Sequence, residues 1–363
     1  MPRSPLATAF ATLLSTALLI GCADAAADTA AGPTFQVDPF WPQALPNDWI
    51  FGEVAGLAVD RHDHVWIIHR PATLDARQRG EEGMCCVVAP TVVEFDTAGT
   101  IVRTWGGPGA GYDWPASEHG ILVDPHDNVW ISGNARGDQL LKFTADGRFL
   151  LQIGKGEVKG SDDPTALGGP AGMAIDTAAH EIYVADGYAN RRVIVFDTET
   201  GAYKRHWGAY GKPPVDGPLE PYAPGQPPAE SFRNPVHGVA LSRDGFVYVA
   251  DRTNNRIQVF QKDGTYVKEG FIRPETLGSG TAGGVTLSKD PEQRWIYVPD
   301  STNNVVWILE RGSLAVVGTV GRLGTMVGQF YRLHDMDVDS RGILYTGEVN
   351  VGKRVQRFVP TAP

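Results

Sequence analysis

The chain has 363 residues, of which 42% are apolar, so it can bury a large core and is not an intrinsically disordered protein. Gly 43 and Pro 26 together make about 19% of the chain, against about 12% in average proteins, which favours a turn-rich all-β domain. The net charge is −10 and the sequence has no basic run, which argues against nucleic acid or an anionic membrane surface as a partner.

The N-terminal residues predict export. Residues 1–21 read as a signal peptide, because the apolar run 6–20 is too short for a membrane span. The run ends in LIGC (19–22), which resembles a bacterial lipobox and predicts lipidation of Cys22. Residues 22–33 would then be a flexible tether, and the only membrane contact would be the lipid anchor. The expected location is the periplasmic side of the outer membrane, or a secreted or periplasmic state if cleavage falls within 25–31 instead.

One structural unit then repeats six times. Each copy begins with a strand, a turn and a second strand, and a second hairpin follows; apolar residues alternate around Asp-Gly or Gly turns. Four strands per unit and six units predict an all-β, six-bladed β-propeller over residues 34–363. The sixth unit ends one strand short after VQRFV (355–359). The unpaired segment TFQVDPF (34–40) is therefore predicted to close the ring as the missing outer strand.

Two connections between predicted strands are unusually long. Residues 71–90 follow the second strand of the first blade, and the proline-rich residues 209–235 enter the fourth blade. Long loops in a compact domain are often functional, with surface decoration as the alternative. The first of them contains Cys85 and Cys86, which would form a vicinal disulfide in an oxidising compartment or else remain two thiols.

Histidine recurs at one position of the repeat. The residue before the opening glycine, or its equivalent, is Ala55, His119, Ala171, His237, Gly283 or His334 in blades 1 to 6. Alternate blades of a six-bladed ring lie roughly 120° apart, so the three imidazoles converge on the central axis. Three imidazole nitrogens suit a catalytic zinc ion with an open fourth position. The alternative is three histidines that are each hydrogen-bonded within the channel.

Arginine recurs at the end of the second strand, on the same face of the ring. Arg70 and Arg252 occupy this position in the opposed blades 1 and 4. Arginine binds carboxylates through two parallel hydrogen bonds, and ion pairs with neighbouring loops are the alternative role. Tyr188 lies one residue beyond the same position in blade 3. Carboxylates that recur at one blade position are expected to stabilise turns: Asp186, Asp251 and Asp300.

These motifs resemble a known family. Hairpin starts such as NRIQVF (255–260) resemble NHL repeats, and the whole constellation resembles the peptidyl-α-hydroxyglycine α-amidating lyases from about residue 50 to 359. The motifs that carry the resemblance are IIHR (67–70), EHGILVD (118–124), VADGYANRRVIVF (184–196), FRNPVHGVAL (232–241), VADRTNNRIQVF (249–260) and LHDMDVD (333–339).

The resemblance implies a zinc-dependent lyase that cleaves a carbinolamide C–N bond to an amide and glyoxylate. The implied zinc ligands are His119, His237 and His334, and the implied catalytic residues are Tyr188, Arg70 and Arg252. A structural calcium ion is also implied, held by Asp335 and by the backbone carbonyls of Leu57 and Ile121. The substrate would be a small molecule or peptide that bears a carboxylate.

The chain departs from the family at several positions. The paired cysteines of animal members match Ala189, Tyr248 and Val259, and Leu333 replaces the proline before the third histidine. No hydroxylating domain is expected, so the hydroxyglycine substrate would be made elsewhere. Two other functions stay open. One is a non-catalytic NHL propeller that holds a ligand or protein partner in the cell envelope, and the other is a metal-dependent lyase or hydrolase of another small carboxylate.

Overall fold

Six β-sheets surround a central channel in the computed structural model, which describes residues 1–2, 32–83 and 85–361. Each sheet has four antiparallel strands, which confirms the predicted six-bladed β-propeller. The predicted signal peptide and nearly all of the predicted tether lie outside the described residues. Within the described part, no helix has the length and apolar character needed to cross a membrane.

The strands of each blade follow one another in the chain from the channel outward. Blade 1 contains Glu53–Val59, Val65–Arg70, Val92–Phe95 and Ile101–Trp105. Blade 2 contains Glu118–Val123, Val129–Gly133, Leu140–Phe143 and Phe149–Ile153. Blade 3 contains Pro170–Asp176, Glu181–Asp186, Arg192–Asp197 and Tyr203–Trp207. Blade 4 contains Val236–Leu241, Phe246–Asp251, Arg256–Gln261 and Tyr266–Phe271.

The last two blades follow the same order, except at the outer edge of blade 6. Blade 5 contains Thr286–Leu287, Trp295–Asp300, Val305–Glu310 and Val316–Val320. Blade 6 contains Leu333–Val338, Leu344–Glu348, Val355–Thr361 and, as its outer strand, Thr34–Asp38. Thr34 pairs with Thr361 and Asp38 pairs with Arg357, so the two ends of the chain build one blade.

The core lies between neighbouring blades. The second strands, such as Val65–Arg70 and Glu181–Asp186, are buried along nearly their whole length, because each is covered by a blade on both faces. The fourth strands, such as Ile101–Trp105 and Tyr203–Trp207, are mostly exposed or half-buried instead. Between blades 3 and 4 the aromatic side chains of Tyr183, Trp207 and Phe260 form one such core.

Buried ion pairs fix the turns after two of the second strands. Asp186 pairs with Arg192 and Asp251 pairs with Arg256, and all four side chains are fully buried. The Asp186 carboxylate also accepts hydrogen bonds from the Gly168 amide and an asparagine side chain. This confirms that the recurring aspartates stabilise turns.

Glycine residues allow the innermost strands to approach one another closely. A Cβ atom at Gly56 would lie 2.4 Å from the carbonyl oxygen of His119, and one at Gly172 would lie 3.0 Å from that of His237. Each of these glycines therefore packs directly against the histidine position of the next blade. The repeated glycine keeps the ring narrow at the level of the histidines.

Both long loops lie on the face where the first strands begin and the second strands end, which we call the mouth. The 71–90 loop contains the short strand Val87–Val88, which pairs in parallel with Trp49–Ile50. The structure joins Cys85 and Cys86 in a disulfide. Short 3-10 turns lie at Pro46–Asp48, Pro71–Thr73, Ala209–Gly211 and Arg252–Asn254.

Candidate active site

Three histidines from alternate blades meet at the mouth end of the channel. His119, His237 and His334 are buried, and one ring nitrogen of each lies within 4.8 Å of the others. Their ring centroids are 4.8, 4.8 and 5.1 Å apart, so the rings form a nearly equilateral triangle. The structure thus brings together the three side chains that the repeat register predicted.

Backbone contacts orient two of these rings. His334 Nδ1 lies 2.7 Å from the Ala55 carbonyl oxygen, and His237 Nδ1 contacts the Gly283 carbonyl oxygen. Because a carbonyl can only accept, Nδ1 carries the proton in both rings and the lone pair of Nε2 points into the cluster. His119 Nδ1 has no partner among the described residues. Such carbonyl partners are typical of histidines that bind metals.

The surroundings keep the three imidazoles neutral. Burial, with the charges of Arg70 and Arg252 contributing, lowers the pKa of His334 to about 3. Burial also holds the pKa values of His119 and His237 well below their usual range, with the same arginines contributing. Metal binding requires neutral imidazole, so this group could hold a metal ion.

The Tyr188 hydroxyl lies against the histidine cluster. Its oxygen is 2.9 Å from His119 Nε2 and 3.1 Å from His237 Nε2, while these two nitrogens are 3.2 Å apart. A Cβ at Gly187 would lie 2.0 Å from the Val236 carbonyl oxygen, so only glycine allows this close approach of blades 3 and 4. Gly187 therefore holds Tyr188 next to His237.

The two predicted arginines have different surroundings. Arg70 forms an ion pair with Glu53 at 2.9 Å, and it donates hydrogen bonds to the Glu118 carbonyl at 2.7 Å and to Asn134 at 3.3 Å. Three of its five N–H donors are thus occupied and its charge is paired. Arg252 donates to the Ser279 carbonyl at 3.0 Å and forms no ion pair with any carboxylate of the described residues.

Arg332 is a third arginine at the mouth, and the sequence analysis missed it. Burial lowers the pKa of Arg252, Tyr188 opposes this shift, and the charge of Arg332 adds to it. The same charge is among the groups that lower the pKa of His334, after burial. Arg332 lies two residues before His334. It falls at neither of the two repeat positions used above, the residue before the opening glycine and the residue at the end of the second strand. Its position immediately before the motif LHDMDVD (333–339) was the signal that could have found it.

The channel continues below the histidines as a cavity of about 310 Å³. Leu57, Ile121 and Asp335, the residues implied for calcium, all line it. The Asp335 carboxylate accepts hydrogen bonds from the amides of Leu57 and Met336, both at 2.9 Å. Burial raises the pKa of Asp335 to about 7, with the nearby charge of Asp337 contributing. Calcium at this level stays a prediction.

A second group of metal-type side chains lies in blade 1. It comprises Asp60, His64 and Glu94. Asp60 already accepts hydrogen bonds from backbone amides and from the Trp66 indole, and Glu94 pairs with both His64 and Arg103 at 2.7 Å. All three side chains already have hydrogen-bond or ion-pair partners, and Arg103 supplies a positive charge. We therefore interpret the group as a structural network.

Comparison with known proteins supports the sequence-based resemblance. The NHL repeat family model matches residues 234–260, which contain both His237 and Arg252. Peptidyl-glycine alpha-amidating monooxygenase B of Xenopus laevis is 27% identical, over 85% of this chain and 34% of its own length. Peptidyl-alpha-hydroxyglycine alpha-amidating lyase 1 of Drosophila melanogaster is 25% identical, over 90% of this chain and 60% of its own length. NHL repeat-containing protein 3 of Mus musculus is 24% identical, over 90% of this chain and 85% of its own length.

Solved structures share the fold. A structural genomics protein of unknown function from Bacteroides thetaiotaomicron has a TM-score of 0.54 at 15% identity, over 86% of this chain and 70% of its own. A streptogramin B lyase has a TM-score of 0.50 at 12% identity, over 90% of this chain and 98% of its own. The chain spans between 34% and 60% of the two amidating relatives. The predicted resemblance is confirmed: the chain is a six-bladed propeller that contains a match to the NHL repeat and is similar to the amidating lyases.

Proposed function

We propose that the protein is a zinc-dependent lyase of the peptidyl-α-hydroxyglycine amidating type. The observation that carries the proposal is the Tyr188 hydroxyl, 2.9 and 3.1 Å from two of three converging histidine nitrogens. Two relatives named for amidation, from Xenopus laevis and Drosophila melanogaster, support it. The substrate would be a small molecule or peptide with an α-hydroxyglycine-type carboxylate.

The donor set fits zinc. His237 and His334 are held in the tautomer that directs the Nε2 lone pair into the cluster, and His119 Nε2 faces the same point at 3.2 Å from His237 Nε2. His119, His237 and His334 would hold the ion. When bound, zinc would act as a Lewis acid that lowers the pKa of the substrate hydroxyl.

The remaining chemistry falls to the side chains of the mouth. Arg252 binds the substrate carboxylate with a charge that no carboxylate of the described residues neutralises, and Arg70 offers its two unoccupied N–H donors. Tyr188, in its deprotonated phenolate form, accepts the proton of the substrate hydroxyl. The hydroxyl-bearing carbon becomes the aldehyde of glyoxylate as its C–N bond breaks. The leaving nitrogen takes the proton from Tyr188, so the amide forms without consuming water.

The test is glyoxylate release from α-hydroxyhippurate by the zinc-loaded mature domain. We expect release by the wild type and none by His237→Ala, which should also lose zinc. His126→Ala is the matched control, because His126 is exposed and remote from the cluster. Retention of both zinc and full activity by His237→Ala would overturn the proposal.

A non-catalytic binding platform is the second candidate. Similarity to NHL repeat-containing protein 3 favours it, because that similarity covers 85% of the relative and its name states no reaction. Protein without stoichiometric zinc and without glyoxylate release would favour the platform. Stoichiometric zinc without release from several α-hydroxyglycine compounds would instead favour a metal-dependent reaction on another small carboxylate.

A further inference from the structure

Two of the three arginines beside the histidine cluster have no carboxylate partner in the described part of the chain. Of Arg70, Arg252 and Arg332, Arg70 forms an ion pair, with Glu53 at 2.9 Å. Among the described residues, neither Arg252 nor Arg332 has a carboxylate within 4.0 Å. Both side chains are partly buried, and a partly buried guanidinium group without a counterion is stabilised by a ligand that supplies the missing negative charge.

The backbone holds Arg332 firmly at this position. Its amide donates to the Asn304 side chain at 2.6 Å, and its carbonyl accepts the Val349 amide at 3.0 Å. Its φ of 62° is left-handed, which breaks the strand pattern just before Leu333–Val338 and redirects the side chain.

The Arg332 guanidinium has no role in holding the fold together. Its Nε atom is buried without a partner, and no side-chain hydrogen bond of Arg332 occurs within 32–83 and 85–361. By contrast, Arg354 in the same blade pairs with Glu348 and donates to three loop carbonyls, those of Thr325, Met326 and Gln329. Arg332 is thus a partly buried charged group whose backbone is held in place, near Arg252 and His334.

We propose that Arg332 and Arg252 together bind the substrate carboxylate, and that Arg332 makes a negative charge at this position a requirement for binding. This assignment rests on the proposed function for the identity of the substrate. It makes Arg332 a specificity-determining residue and leaves Arg70 chiefly a positioning residue, because Arg70 Nε donates to the carbonyl just before His119. Uncharged analogues of the same shape are rejected, since they leave two guanidinium groups unpaired.

The experiment measures binding rather than turnover, by calorimetry, with hippurate and hippuramide as unreactive probes. Hippurate carries a carboxylate where hippuramide carries a carboxamide, and the two probes are otherwise identical. The wild type should bind hippurate at least roughly tenfold more tightly than hippuramide, as expected of a charge-assisted pair. Arg332→Met should lose that preference, and Arg332→Lys should retain part of it. Arg322→Met is the matched control, because Arg322 is exposed in the preceding loop.

Each outcome separates this inference from the lyase proposal. Unchanged hippurate preference in a folded Arg332→Met variant overturns the inference, as does a wild type that binds both probes equally or neither. Arg332-dependent hippurate binding without glyoxylate release supports the anion site and removes the lyase assignment. Glyoxylate release that is insensitive to Arg332→Met keeps the lyase and overturns the role of Arg332. Melting temperatures of all variants check folding.

Discussion

Gly187→Ala is expected to separate the tyrosine from the histidine cluster. The added Cβ would lie 2.0 Å from the carbonyl oxygen and 2.2 Å from the nitrogen of Val236, the residue before His237. The first distance falls about 1.4 Å short of an ordinary 3.4 Å contact, and both atoms are backbone, so blades 3 and 4 must move apart. The φ of Gly187 is not in the left-handed region, so the cost is purely steric.

This displacement should have measurable effects on turnover and on thermal stability. Tyr188 Oη lies 3.1 Å from His237 Nε2, and a shift of about 1 Å breaks that contact and lowers a catalytic rate by about 10²-fold. Overpacking of this kind costs about 1–3 kcal/mol, which lowers the melting temperature by roughly 2–6 °C in a domain of this size. Thermal unfolding, zinc titration and glyoxylate release together measure both effects.

The matched control is Gly318→Ala. Gly318 lies on the outer strand of blade 5, where an added Cβ meets Ile308 Cδ1 at an ordinary 3.5 Å. It should leave melting temperature, zinc binding and turnover unchanged. If Gly187→Ala also left all three unchanged, the tight contact between blades 3 and 4 would not position Tyr188, and the reasoning would be wrong.

Two further predictions concern single polar groups. Tyr188→Phe should keep zinc while turnover falls by about 10²–10⁴-fold, because the substitution removes the proton acceptor. The control Tyr203→Phe loses only a surface contact to His206 and should not change turnover. Equal rates would exclude the phenol. Hydrogen bonds from Arg205 lower the pKa of Glu181 from 4.5 to about 2. The ionised carboxylate therefore stabilises the folded state fully above about pH 4.5, and this contribution is lost as the pH falls toward about 2. Glu181→Gln should therefore show a smaller loss of melting temperature across that window, and an unchanged loss would contradict the assignment.

The repeat register made the histidine cluster predictable. His119 and His237 each precede a glycine at the position where neighbouring inner strands touch, because a missing Cβ permits that contact, and His334 occupies the same register before Asp335. The place of a residue within the repeat therefore gives its position around the axis of the ring. The six blades followed from the same periodicity, because each hairpin carries its own turn signal.

Arg332 and the pairing of Arg70 could not be predicted in this way. The left-handed backbone at Arg332 breaks the alternation on which strand-based reasoning depends. The Arg70–Glu53 ion pair depends on the register between two strands of one blade, in which Glu53 faces Arg70. Neither feature repeats from blade to blade, so no internal comparison within the sequence could expose it.

The shared blade 6 has a consequence for the order in which the protein matures. Thr34–Asp38 is the first strand of the propeller to be synthesised and its partner Val355–Thr361 is the last, so one strand edge stays unpaired while the rest of the propeller is made. His334 belongs to the same late blade. The triangle of histidines can therefore be completed only after the ring has closed, and a nascent or truncated chain has no site to load.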